Sequence, residues 1–130
     1  MQIQPSAPDL YSIGQLSQTF NTSRRALRYY EAKGLLAPAR DGPYRIYGRR
    51  EFQRVRVIVE ARRVGLTIAQ IHDLLEQYEP TDHGDAQTLK AIGYLSRRLS
   101  RLEAEAQSVR AKITELEAQL SGPNKPSTVS

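Results

Sequence analysis

Apolar residues fall at positions 92, 95, 99, 102, 106, 109, 113, 116 and 120, with spacings that alternate three and four without a break. That is a heptad seam. Ile92, Leu99, Ala106, Ile113 and Leu120 occupy one core position, and Leu95, Leu102, Val109 and Leu116 the other. A helix over residues 85–120 is predicted. At 1.5 Å per residue, its four heptads make a rod of about 50 Å, too long for a domain of some eighty residues to cover. The seam therefore demands a partner helix, and a second copy of the chain is the expected one.

Charge arithmetic sets the register of such a pair but not its direction. A centred antiparallel pairing places Glu103 opposite Arg110 and Glu105 opposite Lys112 of the second copy. A parallel pairing also scores well, with Arg98 opposite Glu103 and Lys112 opposite Glu117. Exposed pairs of this kind are worth only about 0.2–0.5 kcal/mol each.

The residues before the seam have a different character. From Arg24 to Arg63 there are twelve Lys or Arg and four acids, so that stretch carries +8 of a net charge of +5 for the whole chain. Residues 81–130 hold seven basic and six acidic groups, close to neutral. A cation field concentrated on one segment suits a polyanion, because counterions released from phosphates drive binding.

Local signals divide the basic region into short elements. Residues 1–10 read as a mobile lead-in. Ser12 with Gln15 forms a capping box that opens a first helix, with Ile13, Leu16 and Phe20 on one face. Thr22 or Ser23 caps a second helix, from about Arg24 to Lys33, and Gly34 ends it. Two short helices joined by a three-residue turn make a helix-turn-helix. Residues 35–47, with Pro38, Gly42 and Pro43, read as a hairpin-like wing. A third helix is predicted from Arg49 to about Val64, and a turn at Gly65-Leu66 follows it. A fourth opens on the capping box Thr67/Gln70 and runs to about Gln77. The predicted organisation is a DNA-binding domain over 11–80, a dimerisation helix over 85–120 and a disordered tail over 121–130.

The blocks Tyr11-Ser12-Ile13-Gly14-Gln15-Leu16, Arg25-Ala26-Leu27-Arg28-Tyr29-Tyr30-Glu31 and Gly34-Leu35-Leu36-Ala37-Pro38 resemble the MerR family of bacterial transcription regulators. The similarity continues through Tyr44-Arg45-Ile46-Tyr47 and Val64-Gly65-Leu66-Thr67-Ile68-Ala69-Gln70-Ile71. The resemblance implies a mainly α fold: a winged helix-turn-helix followed by a long helix that forms an antiparallel coiled coil in a homodimer. It also implies an inverted-repeat operator in double-stranded DNA, RNA polymerase as a partner at the promoter, and regulation through altered promoter geometry. A looser similarity, over residues 45–80, is to the subgroup regulating branched-chain acyl and leucine catabolism.

Candidate DNA-contacting residues follow from the cationic pattern and this resemblance together. Arg24 is expected to read base edges, while Arg25, Arg28 and Tyr29 hold the backbone. In the wing, Arg40, Arg45 and Tyr47 match family positions that grip phosphate, although Tyr47 also suits a core. Arg62 precedes the turn that forms the family's second wing. One departure stands out: the family usually has Gly directly before the Tyr-Arg pair, and here Pro43 intervenes between Gly42 and Tyr44.

The same composition excludes other chemistry. There are no cysteines, so thiolate metal sites, iron–sulfur clusters and thiol nucleophiles are ruled out, and no metal site or cofactor is expected. His72 and His83 lack the spacing of a two-histidine metal site. No Gly-rich phosphate loop or nucleophile–base constellation points to an enzyme. No stretch is apolar for long enough to span a bilayer and no secretory leader is evident, so a cytoplasmic location is expected. With no cysteines and a ten-residue tail, the metal-binding or drug-binding extension of many relatives is not expected, and the sequence names no effector. An architectural DNA-bending protein and a coiled-coil adaptor for an acidic partner remain open as alternatives.

Overall fold

The computed structural model describes residues 10–121. The elements are α1 (Ile13–Thr19), α2 (Arg24–Ala32), β1 (Ala39–Asp41), β2 (Tyr44–Ile46), α3 (Arg49–Arg63), α4 (Ile68–Glu76), a 3-10 turn (Pro80–Asp82) and α5 (Asp85–Ser121). The expected lead-in over 1–10 and tail over 121–130 lie outside the described residues except for Leu10 and Ser121, and Ser121 closes α5 instead of opening the tail. Packing divides the chain into two units, with the boundary between Ile92 and Gly93. It therefore falls inside α5 rather than in the loop after α4. The first turns of α5 are fastened to α4 by a hydrogen bond from Gln87 to the Leu74 carbonyl (3.0 Å) and by the Lys90–Asp73 ion pair (3.4 Å).

Helix starts in the first unit follow their caps. Ser12 Oγ accepts from Gln15 N at 3.0 Å, and Gln15 Oε1 accepts from Ser12 N at 2.7 Å. The same reciprocal pair forms between Thr67 and Gln70 at 3.1 and 2.9 Å. Ser23 caps α2 by accepting from Ala26 N. Each arrangement satisfies donors that the first helical turn leaves open.

Helix ends are just as specific. After α2, Gly34 adopts a left-handed φ of 80°, its N–H bonds Glu31 O, and Leu35 N–H bonds Tyr30 O. This Schellman closure recurs after α3 with Gly65, Arg62 O, Leu66 and Ala61 O. In both, the leucine after the glycine is driven inward: Leu35 and Leu66 are buried. They join Leu16, Leu27, Leu36, Val55, Ile58, Ile71, Leu74 and Leu75 in the core of the first unit.

β1 and β2 form a two-stranded antiparallel ribbon with Asp41 opposite Tyr44, so the connection is two residues, Gly42-Pro43. Gly42 has φ 60°, and proline is fixed near −65°. Positive then negative φ is the signature of a type II′ turn, which suits the twist of a hairpin. The proline thus gives the wing a tight tip instead of disrupting it. A main-chain bridge that the sequence did not suggest, Tyr11 N to Tyr47 O at 2.8 Å and Tyr47 N to Tyr11 O at 2.9 Å, stitches the chain before α1 to the end of β2. Tyr11 and Phe20 then pack on Phe52 of α3, with ring centroids 4.7 and 4.9 Å apart.

In the second unit, residues 93–121 are one continuous helix. Among the described residues no helix is long and apolar enough to cross a membrane.

Candidate nucleic-acid interface

α2 presents its cations by simple periodicity. Leu27 and Tyr30 are buried, which leaves Arg24, Arg25, Arg28 and Tyr29 exposed. Arg24 lies back over the start of α1. A Cβ placed on Gly14 would come within 2.7 Å of Arg24 Nη2, so the glycine makes room for the guanidinium. Arg24 and Arg45 share the lining of an open groove of about 490 Å³ between the start of α1 and the wing, with Tyr11, Tyr44 and Ile46. Lys33 sits 5.6 Å from the centroid of the Tyr29 ring, adding a further cation to that end of α2.

The wing arginines are held by a residue that the sequence reading left out. Glu31 of α2 accepts from Arg45 Nε at 2.6 Å through one carboxylate oxygen and from Arg40 Nη2 at 2.9 Å through the other. Burial alone would raise the Glu31 pKa, but the hydrogen bonds and charges of Arg45 and Arg40 outweigh it and hold it below the ordinary value of 4.5. Reciprocally, the Glu31 hydrogen bond raises Arg45. The signal for this clamp is present in the chain only as an acid among cations, 9 and 14 residues from its partners.

Tyr47 is a correction. Its side chain has no exposed surface, and its hydroxyl makes no hydrogen bond with the described residues. Arg45 and Tyr47 are two residues apart and so leave the ribbon on the same side. Arg45 reaches Glu31 at the partly exposed edge, while Tyr47 enters the core. Burial raises the Tyr47 pKa, and the nearby Glu31 charge adds to the rise. It is a core residue beneath the cationic cluster, not an exposed residue of the wing.

Not all of the basic charge is available to a ligand. Arg54 donates through Nε to the Leu35 carbonyl at 2.8 Å, and burial lowers its pKa. Glu51, nearly fully buried, accepts from Ala37 N at 3.0 Å and from Arg50 at 2.9 Å, which fixes the segment before the wing to α3. Arg62 is exposed beside the Gly65 turn and donates to the Leu66 carbonyl at 3.1 Å. The structure thus brings Arg24, Arg25, Arg28, Tyr29, Arg40 and Arg45 to the α2 and wing region, and places Arg62 at the α3–α4 turn.

The seam positions read from the heptad all lie on α5. Ile92, Leu95, Leu99, Leu102, Val109, Ile113, Leu116 and Leu120 are exposed, and Ala106 is half-buried.

Two family models cover this architecture. Residues 11–78 match the MerR HTH family regulatory protein model, and residues 52–121 match the model described as MerR, DNA binding. The chain belongs to the MerR family. Among curated MerR-type relatives, it is 31% identical over 98 residues to heavy metal-dependent transcription regulator 2 of Rhizobium meliloti, covering 71% of this chain and 67% of that one. It is 28% identical over 111 residues to the regulator ZntR of Escherichia coli strain K12, covering 84% and 72%. The structure is similar to the crystal structure of PbrR691 from Ralstonia metallidurans CH34 in complex with lead(II), with a TM-score of 0.63, 26% identity and 81% of each chain covered. As a MerR-family member the chain is a DNA-binding transcription regulator with a winged helix-turn-helix, and its relatives are regulators rather than enzymes.

Proposed function

We propose that this MerR-family regulator binds an inverted-repeat operator in a promoter as a homodimer and alters the geometry of the DNA between the half-sites. The observation that carries this reading is the combination of an exposed arginine face on α2, flanked by a cationic wing, with an exposed heptad seam on α5. One element supplies a reading head, and the other supplies the means of joining two of them.

α2 enters the major groove, with Arg24 directed at base edges. Arg25, Arg28 and Tyr29 hold phosphates on either side, Arg40 and Arg45 of the wing grip the backbone further out, and Arg62 touches it at the second wing. The seam from Ile92 to Leu120 packs against the same seam of a second copy, antiparallel as in the family. That pairing fixes the distance between the two heads, and RNA polymerase at the promoter reads the resulting DNA shape.

The metal named for the relatives is not carried over. The chain has no cysteine to supply a thiolate ligand.

The deciding experiment is a genome-wide footprint of bound sites followed by binding measurements on the purified protein. Symmetric sites upstream of genes, bound at least ~10³-fold more tightly than random duplex at equal salt, are expected. Uniform, sequence-blind occupancy would leave an architectural role instead.

A further inference from the structure

The wing sets two cations face to face. Arg40 and Arg45 are register partners across β1 and β2, so their side chains leave the same side of the ribbon, where like charges directly opposite repel. Counter-charge comes from another element altogether. Glu31 on α2 gives one carboxylate oxygen to each guanidinium, at 2.9 Å to Arg40 and 2.6 Å to Arg45. Arg28 stands one helical turn before Glu31. A single carboxylate therefore ties the wing cations to the helix that carries the base-reading residues.

The geometry leaves the arginines usable. Arg45 is bound through Nε and Arg40 through one terminal nitrogen, and their side chains keep 25% and 51% of their exposure. A guanidinium has five N–H donors in a planar fork, so each retains donors for a further oxygen acceptor. For sequence-blind affinity such a carboxylate is a liability, since it cancels one of two positive charges and repels an approaching phosphate. For orientation it is an asset.

We propose that Glu31 is a positioning residue that sets DNA specificity: by bridging Arg40 and Arg45 it couples the wing to α2, so the wing grips phosphate only when α2 is seated in register on the bases. This rests on the DNA-contacting roles proposed for Arg40 and Arg45.

The test uses full-length protein and an operator selected by the wild type from a random duplex pool. Affinity for that operator and for random duplex is measured over a range of salt for wild type, Glu31→Gln, Glu31→Asp and the double variant Arg40→Ala/Arg45→Ala. Glu31→Gln removes the charge and leaves a single acceptor oxygen, so the two guanidinium groups are no longer bridged. Random-duplex affinity is expected to rise about threefold and operator affinity to fall about threefold, so that the operator-to-random ratio falls roughly tenfold, with a steeper salt dependence. Glu31→Asp keeps the charge but is one methylene too short to bridge both guanidinium groups. Its random-duplex affinity should stay at the wild-type level while the ratio still falls. Thermal melts establish that each variant is folded, and Glu31→Asp carries the test if Glu31→Gln is not.

Loss of folding alone would lower both affinities together, so a changed ratio separates positioning from stability. A ratio unchanged in both Glu31 variants, while Arg40→Ala/Arg45→Ala weakens binding, overturns the role of Glu31 and leaves the wing contacts standing. No effect of the double arginine variant on either duplex removes the wing contacts themselves, and the proposal with them.

Discussion

Leu27 and Leu102 are the same residue type, each on the apolar side of a helix, and they meet opposite fates. Leu27 in α2 is fully buried, whereas Leu102 in α5 keeps 43% of its surface. The difference runs through the two units. In the first, five short helices or helix starts and a ribbon close around one another, and leucines after the Schellman turns complete the core. In the second, a single helix has its apolar stripe at the same periodic precision, and among the described residues of that unit no second element packs over it. Amphipathicity declares that a face must be covered, and the length of the element decides whether the same chain can cover it.

The sharpest way to break this contrast is to make the α5 seam polar. Leu99→Lys/Leu116→Lys should leave the first unit folded and give a monomer by sedimentation. Operator affinity should fall by ~10²–10⁴-fold as the gain from joining two heads is lost. A dimer of undiminished affinity would show that the seam is not the joint. Next in size are changes in the closed core. Leu27→Ala is expected to cost about 2–5 kcal/mol in unfolding free energy, through lost burial and a residual cavity. Leu102→Ala should produce no comparable cost in a protein kept dilute enough to be monomeric. Denaturant melts at high and low concentration compare the two directly.

Smaller effects belong to the reading surface. Arg24→Ala should weaken operator binding by about 1–3 kcal/mol and relax preference at the base pair it contacts. Arg28→Ala should weaken operator and random duplex alike and reduce the slope of log affinity against log salt by about one. Oligomeric state should be unaffected by either, which keeps the two units experimentally separate. Thr67→Ala, which removes one half of a capping box in the first unit, is expected to cost about 0.5–2 kcal/mol in a melt without altering dimerisation.

The smallest predicted effect is a pH dependence confined to the first unit. The Glu31 pKa is lower in the fold than its ordinary value, so the stabilisation from the clamp is present above 4.5. It is lost as pH falls from there through the lowered folded value. Thermal midpoints of wild type should therefore drop more steeply over that acid range than those of Glu31→Gln. Parallel curves would mean that the clamp contributes nothing to stability.

Much of the molecule was legible before any coordinates. Caps at Ser12, at Thr22 or Ser23, and at Thr67, the glycine stops at Gly34 and Gly65, and the alternating spacing from Ile92 to Leu120 are local signals, each set within a turn or a heptad; the structure chooses Ser23. Exposed arginines on α2 follow from the same periodicity. The gaps are all non-local. Pairing of Tyr11 with Tyr47 needs two segments that approach only after the helices pack. Glu51 reaches the Ala37 amide from 14 residues away. The sequence assigns Tyr47 to the phosphate-gripping wing with a core place only as the alternative, because alternation along a strand says which residues share a side but not what that side faces.

The amino-acid order thus determined where helices begin and end, which positions on each are apolar, and that one long helix carries an unbroken heptad seam, since all of these depend on neighbours a few residues apart. Only the tertiary structure decided that Glu31 stands between Arg40 and Arg45 and that Tyr47 goes inward. Those outcomes depend on how α2 and the ribbon meet in space, and a charge or a ring carries no record in the sequence of the partner that folding brings to it.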